Sequence, residues 1–406
     1  MLLNAQRPLY MCLSLLVVAC SRDSARTEVK AEATSLSAAT APSELTPIKL
    51  GQTQPYSGPA SAYSTIGKLH SAYFKQLNEA GGIRGHKLEL TSSDDGYSPP
   101  KTLEQTRKLV EQEQVLALFQ SVGTAANTAV HQYLNAKHVP QLFVSSGATK
   151  WADPEHHPWT IGFNPSYQRE GRAYAKHILA NAPKAKIGVL YQNDDYGKDL
   201  LKGLRDGLAE HANMIVAEVS YETSDATIDS QIASLKASKA DTFIDITTPK
   251  FAAQAVRAAF DSGWKPRHYL NNVGASVGTA LVPAGVDKAS GLFTIVYLKD
   301  ASDPQWNDDP AMQKYKAFMR DRFPEGDIAD FFNAYAYVSA QTLVQVLTQC
   351  GDVLTSENIL KQATSLKDFA PDLVLPGITV NTSPTDYELF ERVQLARFDG
   401  QRWVVL

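Results

Sequence analysis

Predicted strands and helices alternate along most of this chain, and the alternation occurs in two separate runs. The first run begins with a strand at Ile48-Lys49-Leu50 and ends with a strand over 141–145, and the second extends from 186 to 270. Between strands, apolar residues recur at helical spacing, as in Leu200, Leu204 and Leu208. Strands that alternate with helices form parallel sheets with helices on both faces. The sequence therefore predicts an α/β fold with two doubly wound, parallel-sheet lobes.

The C-terminal part departs from this alternation. A continuous helical pattern predicts one long helix over 328–350, which ends before Gly351. The last segment predicts a hairpin, with strands over 393–398 and 402–406. Asp399-Gly400 lies between these strands and favours a type I′ turn.

The N-terminal segment predicts export. An apolar run over 9–18 follows Arg7, is too short to span a bilayer, and is followed by Cys20. Residues 1–20 resemble a bacterial lipoprotein signal in which Cys20 is lipidated, and the alternative is an ordinary secretory signal. Residues 21–47 are rich in Ser, Ala, Thr and Glu and predict a disordered tether. We expect an extracytoplasmic protein held at a membrane by its lipid.

Charge and cysteine content exclude several classes of protein. The net charge of the 406-residue chain is -4, and no Lys/Arg cluster indicates a nucleic-acid partner. Beyond the signal only Cys350 remains of three cysteines, so no internal disulfide or cysteine zinc site is expected. No metal and no cofactor are predicted.

Two predicted strand ends carry small hydroxyl residues. The first end contains Ser121 and the second contains Ser145, Ser146, Gly147 and Thr149. In a doubly wound sheet, ligands bind beyond the carboxyl ends of the strands, where hydroxyl groups and helix N-terminal amides can hold an anion. The alternative is that these residues only cap the following helices.

Enzyme motifs are missing from the sequence. Ser121 lacks the upstream glycine of a nucleophile elbow, since Phe119 stands there, and no phosphate-binding glycine loop follows a strand. Two tyrosines could face a cleft instead. Tyr196 follows the first strand of the second run, where the alternative is a simple capping segment, and Tyr63 follows the first strand, where the alternative is a half-buried helix residue.

The chain resembles the type I periplasmic solute-binding proteins of ABC importers, in their leucine-isoleucine-valine branch. The resemblance rests on Pro55–Pro59, Asn78–Gly85 with its Gly-Gly-Ile-x-Gly element, Asp94-Asp95, the two hydroxyl segments and Asp195–Gly197. It implies two lobes joined by a three-strand hinge that close on a solute, in a monomeric receptor rather than an enzyme. The first lobe is then expected at 48–162 plus 293–377, and the second at 163–292 plus 378–406. The implied partner is an ABC permease in the inner membrane.

The resemblance also implies a ligand site. Its expected residues are Tyr63, Ser121, Ser145, Ser146, Gly147, Thr149, Tyr196, Thr248, Asn272 and Val273. Amino-acid binders of this branch pair the ligand ammonium with an acidic residue after a late second-lobe strand, whereas residues 271–276 here contain none. Burying an unpaired ammonium is costly, so we expect a carboxylate with an aromatic or apolar body and no α-amino group. The alternatives are binding of branched-chain or other amino acids, and a sensor for a membrane signalling protein.

Overall fold

The computed structural model of the protein describes residues 45–406. The predicted signal over 1–20, with Cys20, and residues 21–44 of the predicted tether lie outside the described residues.

Five strands form the first sheet. They are β1 (Ile48–Gln54), β2 (Leu88–Asp94), β3 (Ala117–Phe119), β4 (Gln141–Val144) and β5 (Thr160–Gly162). All neighbours are parallel, in the order β2-β1-β3-β4-β5. Every residue of β3 and β4 is buried, as expected of strands covered by helices on both faces.

Seven strands form the second sheet. They are β6 (Ile187–Gln192), β7 (Ile215–Tyr221), β8 (Thr242–Ile246), β9 (Arg267–Leu270), β10 (Phe293–Val296), β11 (Gln394–Phe398) and β12 (Trp403–Val405). The order is β12-β11-β10-β9-β8-β6-β7, in which β11 pairs antiparallel with β10 and β12, and the other neighbours are parallel.

Helices connect and flank the strands. They are α1 (Thr65–Glu79), α2 (Pro99–Glu111), α3 (Thr124–Lys137), α4 (Tyr167–Asn181), α5 (Asp195–Leu208), α6 (Asp229–Ala237), α7 (Pro249–Asp261), α8 (Val282–Ala284), α9 (Pro310–Arg322), α10 (Phe331–Gln349) and α11 (Ser356–Ala363). Two mostly parallel sheets with flanking helices confirm the predicted fold class. Within residues 45–406, no helix is both long and apolar enough to cross a bilayer.

The start of α5 shows how the sequence determines a helix and its position. The Asp194 side chain accepts hydrogen bonds from the backbone amides of Tyr196 and Gly197, which satisfies two of the free donors of the first turn. Leu200, Leu204 and Leu208 then form one fully buried stripe. The cap and the stripe together hold the N-terminal end of α5, with Tyr196, against the rest of the fold.

The chain crosses between the two sheets three times, and two of the crossings lie elsewhere than expected. Residues 293–296 were expected in the first lobe, but β10 pairs with β9 and β11 in the second sheet. Residues 378–390 were expected in the second lobe, but Ile378, Tyr387 and Phe390 pack in the hydrophobic core around the first sheet. A short apolar run fits either sheet equally well, so the sequence could not place these two crossings.

The C-terminal hairpin forms, but not with the predicted turn. Phe398 pairs with Trp403, so four residues lie between the paired ends. Gly400 has a φ of 104°, whereas Asp399 is not among the residues with positive φ, as a type I′ turn on Asp399-Gly400 would require. The Asp399 carboxylate instead accepts hydrogen bonds from the amides of Gln401 and Arg402.

Candidate functional site

A cavity that we call the cleft lies between elements of the two sheets, and the space in it that no atom occupies, counting space open to solvent, is about 410 Å³. Seven of its lining side chains are aromatic: Tyr63, Tyr97, Tyr167, Tyr196, Phe331, Phe332 and Tyr335. The remaining lining residues are Val122, Gly123, Thr124, Ser145, Asn164, Thr248 and Val273. Among the described residues, none that lines the cleft is Asp, Glu, Lys, Arg or His.

The first-sheet wall of the cleft is built around the start of α3. Gly123, the N-cap of α3, has a φ of 100° and forms no side-chain cap, so its first turn lacks the usual side-chain acceptor. The Gly123 amide donates to the Ser145 carbonyl at 3.2 Å, which ties the end of β4 to this helix start. Hydroxyl groups of Thr124 and Ser145 and the first-turn amides thus lie at one wall, where a helix N-terminus favours negative charge.

The second-sheet wall of the cleft, opposite the first-sheet wall, contains Tyr196, Thr248 and Val273. Tyr196 is 2 % exposed, and within residues 45–406 its hydroxyl group has no hydrogen-bond partner. The Thr248 amide donates to the Tyr221 hydroxyl at 3.1 Å, which orients the end of β8. An unpaired buried hydroxyl is costly, and a polar group of a ligand would satisfy it.

One hydrogen bond between the lobes and two ring contacts within the lobes border the cleft. The Tyr63 hydroxyl, after β1, donates to the Val273 carbonyl, after β9, at 3.3 Å. The rings of Tyr167 and Tyr196 lie 5.0 Å apart between centroids. Tyr63 also packs edge-on against Phe332, with centroids 4.7 Å apart. These contacts enclose the cleft with aromatic surface.

Aromatic residues of α10 complete the cleft, and sequence reasoning missed them. Asp330 caps α10 by accepting from the Phe332 amide, which fixes Phe331 and Phe332 in its first turn. One turn later, the Tyr335 hydroxyl donates to Asn164 Oδ1 at 2.7 Å. The Asp330 cap ahead of two phenylalanines was a usable sign of a helix start, but nothing in the sequence indicated which cavity it faces.

Burial keeps the cleft tyrosines neutral. Loss of solvent raises the pKa of Tyr63 and of Tyr196 well above the usual value, and raises that of Tyr167 to about 12. Their hydroxyl groups are therefore neutral donors at any physiological pH.

The structure brings five of the ten predicted ligand residues to the cleft. These five are Tyr63, Ser145, Tyr196, Thr248 and Val273. The other five do not line it, and they are Ser121, Ser146, Gly147, Thr149 and Asn272.

Ser121 and Ser146 make local hydrogen bonds instead. Ser121 Oγ accepts from the Thr53 amide at 3.0 Å, which joins the ends of β3 and β1. Ser146 Oγ accepts from Trp151 Nε1 at 2.9 Å and pairs with the Thr124 hydroxyl at 2.7 Å. Both serines therefore lie behind the first-sheet wall of the cleft, where their hydrogen bonds hold its segments together.

Gly147 and Thr149 contact the crossover after β5 and the second lobe. A Cβ atom on Gly147 would lie 2.4 Å from the Pro165 carbonyl oxygen, so the glycine permits close packing there. The amide and hydroxyl groups of Thr149 both donate to Asp199 Oδ2 in α5, at 2.8 and 2.9 Å. The predicted anion donors of Thr149 are thus bonded across the lobes.

Asn272 is bonded to an acidic side chain that sequence reasoning missed. Its amide donates to Glu170 Oε1 at 2.7 Å, and its Nδ2 donates to Glu170 Oε2 at 3.2 Å. Burial raises the pKa of Glu170 to about 7. Glu170 reaches this segment from α4, so inspection of residues 271–276 alone could not find it.

A second carboxyl group lies near the cleft without lining it. Asp194 contributes to the raised pKa values of Tyr63 and Tyr97. Its Oδ1 accepts from the amides at the start of α5, and its Oδ2 accepts from Gln192 Nε2 at 2.6 Å. Asp194 therefore acts as a helix cap whose acceptor oxygens are both engaged.

Comparison with known proteins gives one consistent result. The profile of the periplasmic binding protein family matches residues 47–402. A Leu/Ile/Val-binding protein homolog 1 of Brucella abortus (strain 2308) is 23% identical over 321 residues, which cover 78% of this chain and 81% of that protein.

Solved structures share the fold. A branched chain amino acid ABC transporter protein from Thermus thermophilus with bound valine has a TM-score of 0.81 at 16% identity, covering 89% of this chain and 96% of that one. A fatty acid ABC transporter substrate-binding protein from Thermomonospora curvata has a TM-score of 0.70 at 20% identity, covering 89% and 91%. The chain therefore belongs to the periplasmic binding protein family, as a type I ligand-binding receptor of the leucine-isoleucine-valine branch and not an enzyme.

Proposed function

We propose that this receptor delivers a small carboxylate with an aromatic or apolar body, and no α-amino group, to an ABC permease. The observation that carries the proposal is the lining of the cleft. Seven aromatic side chains supply an apolar enclosure, and the polar lining groups are hydroxyl, amide and carboxamide groups without charge. Such a lining suits a ligand whose apolar body is buried and whose polar end needs only neutral donors.

The electrostatic argument distinguishes the two ends of an amino acid. A carboxylate at the start of α3 would meet Thr124, Ser145 and first-turn amides, which donate without a counter-cation. An α-ammonium group in the same cleft would need a carboxylate, and both nearby ones are bonded elsewhere, Asp194 to its helix start and Glu170 to Asn272. Leaving such a charge unpaired costs several kcal/mol, roughly two or more factors of ten in affinity.

The solved relatives are compatible with either kind of solute. One structure with this fold contains valine, and another belongs to a fatty acid transporter. The valine complex makes amino-acid binding the second candidate function for this chain. The uncharged cleft lining favours the first candidate.

Two ligands that differ only in the ammonium group test this proposal. Titrations of the purified receptor by calorimetry compare 3-phenylpropionate with L-phenylalanine, with 3-phenylpropanol as the control for the carboxylate. We expect 3-phenylpropionate to bind at least about 100-fold more tightly than L-phenylalanine, because only the amino acid leaves a buried charge unpaired. Preferential binding of L-phenylalanine or of leucine would overturn the proposal in favour of the amino-acid function.

We also propose that Cys20 carries a lipid that anchors the receptor at the membrane surface. The support is the apolar run over 9–18, which Cys20 follows after one intervening alanine. Expression of the full chain and of Cys20→Ser, followed by membrane fractionation and mass spectrometry of the N-terminal peptide, tests it. A soluble, unlipidated wild-type protein would leave only the secretory alternative.

A further inference from the structure

A second cavity, the hinge cavity, lies where the chain crosses from β10 toward α9. The space in it that no atom occupies, counting space open to solvent, is about 710 Å³, compared with about 410 Å³ in the cleft. Its walls come from β10 and β12 of the second sheet, from the crossover after β10, and from the start of α10. Phe331 lines both cavities, so the two adjoin at this residue.

The hinge cavity is acidic, unlike the cleft. Lys299, Asp300, Asp303 and Asp330 line it. The Lys299 ammonium is paired with Asp309 at 2.7 Å, and the Asp303 carboxylate is paired with Arg402 at 2.7 Å. Asp300 Oδ1 accepts hydrogen bonds from the Ser302 amide and hydroxyl groups, and Asp330 Oδ1 accepts from the Phe332 amide and the Ser276 hydroxyl. Among the described residues, neither carboxyl group forms a salt bridge, so the lining carries two carboxyl groups without a cationic partner.

An independent observation points to a ligand that donates hydrogen bonds. Asn272 lines the hinge cavity and is 4 % exposed. Its Nδ2 donates to Glu170, but within the described residues its Oδ1 accepts no hydrogen bond. A carboxamide oxygen can only accept, so the missing partner must carry an N–H or O–H group.

Aromatic side chains line the rest of the hinge cavity, among them Trp306, Phe331 and Trp403. The Lys299 ammonium already lies 5.3 Å from the centroid of the Trp306 ring, so this ring faces a cation in the structure. Aromatic faces together with unpaired carboxyl groups are the surroundings that favour an organic ammonium group.

We propose that the hinge cavity is a second ligand site, which takes a small organic amine with an apolar body. The ammonium group faces Asp300 and Asp330 and donates to Asn272 Oδ1. The apolar body packs against the aromatic side chains of the cavity. The cleft and the hinge cavity thus select opposite charges.

The state of the two carboxyl groups is consistent with such an occupant. Burial raises the pKa of Asp330 to about 7 and also raises that of Asp300. A cation beside a buried carboxylate favours its ionised form and offsets this cost.

Because strands of the second sheet and the start of α10, which packs in the core around the first sheet, both line the hinge cavity, an occupant contacts both lobes. Any change in the angle between the lobes then changes its contacts, so the two sites are linked thermodynamically. An amine that prefers the closed arrangement would tighten binding in the cleft, and the cleft ligand would tighten binding of the amine by the same factor.

Calorimetric titration of the full chain with 2-phenylethylamine tests the proposal, with 2-phenylethanol as the uncharged control of similar shape. We expect the amine to bind at least about tenfold more tightly than the alcohol. The double variant Asp300→Asn/Asp330→Asn, in which asparagine at 330 can still cap α10, should remove this difference. Equal binding of the two probes, or no binding of the amine at millimolar concentration, would overturn the proposal.

Two further variants locate the bound amine. Ala329→Leu places a larger apolar side chain at the wall of the hinge cavity without changing its charge, and it should weaken amine binding. This variant also decides the matter if the double variant fails to fold. Tyr196→Ala, in the cleft, should leave amine binding unchanged. Loss of amine binding in Tyr196→Ala together with full binding in Ala329→Leu would assign the amine to the cleft and refute the second site. The amine titration does not use a cleft ligand, so its outcome is separate from that of the proposed carboxylate function.

Discussion

The cleft and the hinge cavity share Phe331 but differ in the chemistry of their linings. Within residues 45–406, aromatic, aliphatic and uncharged polar side chains line the cleft, whereas three aspartates and a lysine line the hinge cavity. The difference arises from the kinds of chain segment that line each cavity. Strand ends and helix starts supply neutral amides and hydroxyl groups to the cleft, and a crossover segment rich in aspartate supplies the hinge cavity. The two proposals accordingly assign ligands of opposite charge to two neighbouring cavities of one fold.

The largest expected effect on stability and on affinity comes from substitution of Gly123, which lines the cleft but not the hinge cavity. A Cβ atom at Gly123 would lie 2.5 Å from Tyr97 Cε2, and the φ of 100° is unfavourable for any other residue. Gly123→Ala should destabilise the protein by about 3 kcal/mol through strain and displacement of the Tyr97 ring. Because that ring lines the cleft, affinity for 3-phenylpropionate should fall about 100-fold, while 2-phenylethylamine binding stays unchanged.

Gly263→Ala is the matched control for this change. Gly263 also has positive φ, at 73°, but a Cβ atom there meets nothing within 4 Å. Its substitution should cost only the backbone strain, about 1 kcal/mol, and leave ligand binding intact. Equal losses of stability in the two variants, measured by urea unfolding, would mean that the Tyr97 contact is unimportant.

Glu170 accepts hydrogen bonds from Asn272, which lines the hinge cavity, and should make stability depend on pH. Its pKa is raised to about 7 by burial, so folding favours the protonated form. The folded state then holds a proton that the unfolded state has released, and stability falls as pH rises from about 4.5 to about 7. The total change from this group is about 3 kcal/mol. Glu170→Gln should remove this share of the decline and leave that of Asp330, whose pKa burial also raises to about 7, as measured by urea unfolding at pH 5, 6, 7 and 8.

An exposed glutamate on β2, Glu89, provides the control through Glu89→Gln. That variant should follow the wild-type pH profile. If Glu170→Gln also followed it, Glu170 would be ionised throughout this range, and a carboxylate would stand directly behind the wall formed by residues 271–274. The contrast between an uncharged cleft and an acidic hinge would then weaken.

A pair of serines tests which hydroxyl groups serve the cleft. Ser145 lines it, whereas Ser121 is buried behind the wall and accepts from the Thr53 amide. Ser145→Ala should weaken 3-phenylpropionate binding by about 1.5 kcal/mol, roughly tenfold, because a hydrogen bond to a charged group is lost. Ser121→Ala should instead lower stability by about 1–2 kcal/mol, because a buried amide loses its acceptor, with little change in affinity. The reverse pattern, seen by calorimetry and thermal unfolding, would return Ser121 to the ligand site.

The same two serines show how far the sequence predicts the site. Alternation of strands and helices predicted both sheets, and the small residues after β3 and β4 predicted a site at the sheet edge that borders the cleft. The direction in which each of these side chains points could not be predicted, because the chain is irregular at the strand ends. Ser145 reaches the cleft, while Ser146 turns to Trp151.

Residues distant in sequence were beyond prediction for a different reason. Phe331, Phe332 and Tyr335 enter the cleft from α10, and Glu170 meets Asn272 from α4. These approaches depend on where the chain crosses between the sheets. Two of those crossings were misplaced, because β10 and the segment over 378–390 carry apolar patterns that suit either lobe.

The smallest expected effect concerns a contact between the lobes that borders neither cavity. Asp199 accepts hydrogen bonds from the amide and hydroxyl groups of Thr149, in a partly exposed position. Asp199→Asn keeps one acceptor oxygen but removes the charge. This should lower the stability of the closed arrangement of the lobes by about 0.5–1 kcal/mol. Both cavities have walls from the two lobes, so the affinities for 3-phenylpropionate and 2-phenylethylamine should fall together, each by less than about fivefold. Parallel titrations of the two probes measure this. A loss confined to one probe would mean that the two cavities respond to different motions, because a shared closing motion weakens both sites by the same mechanism.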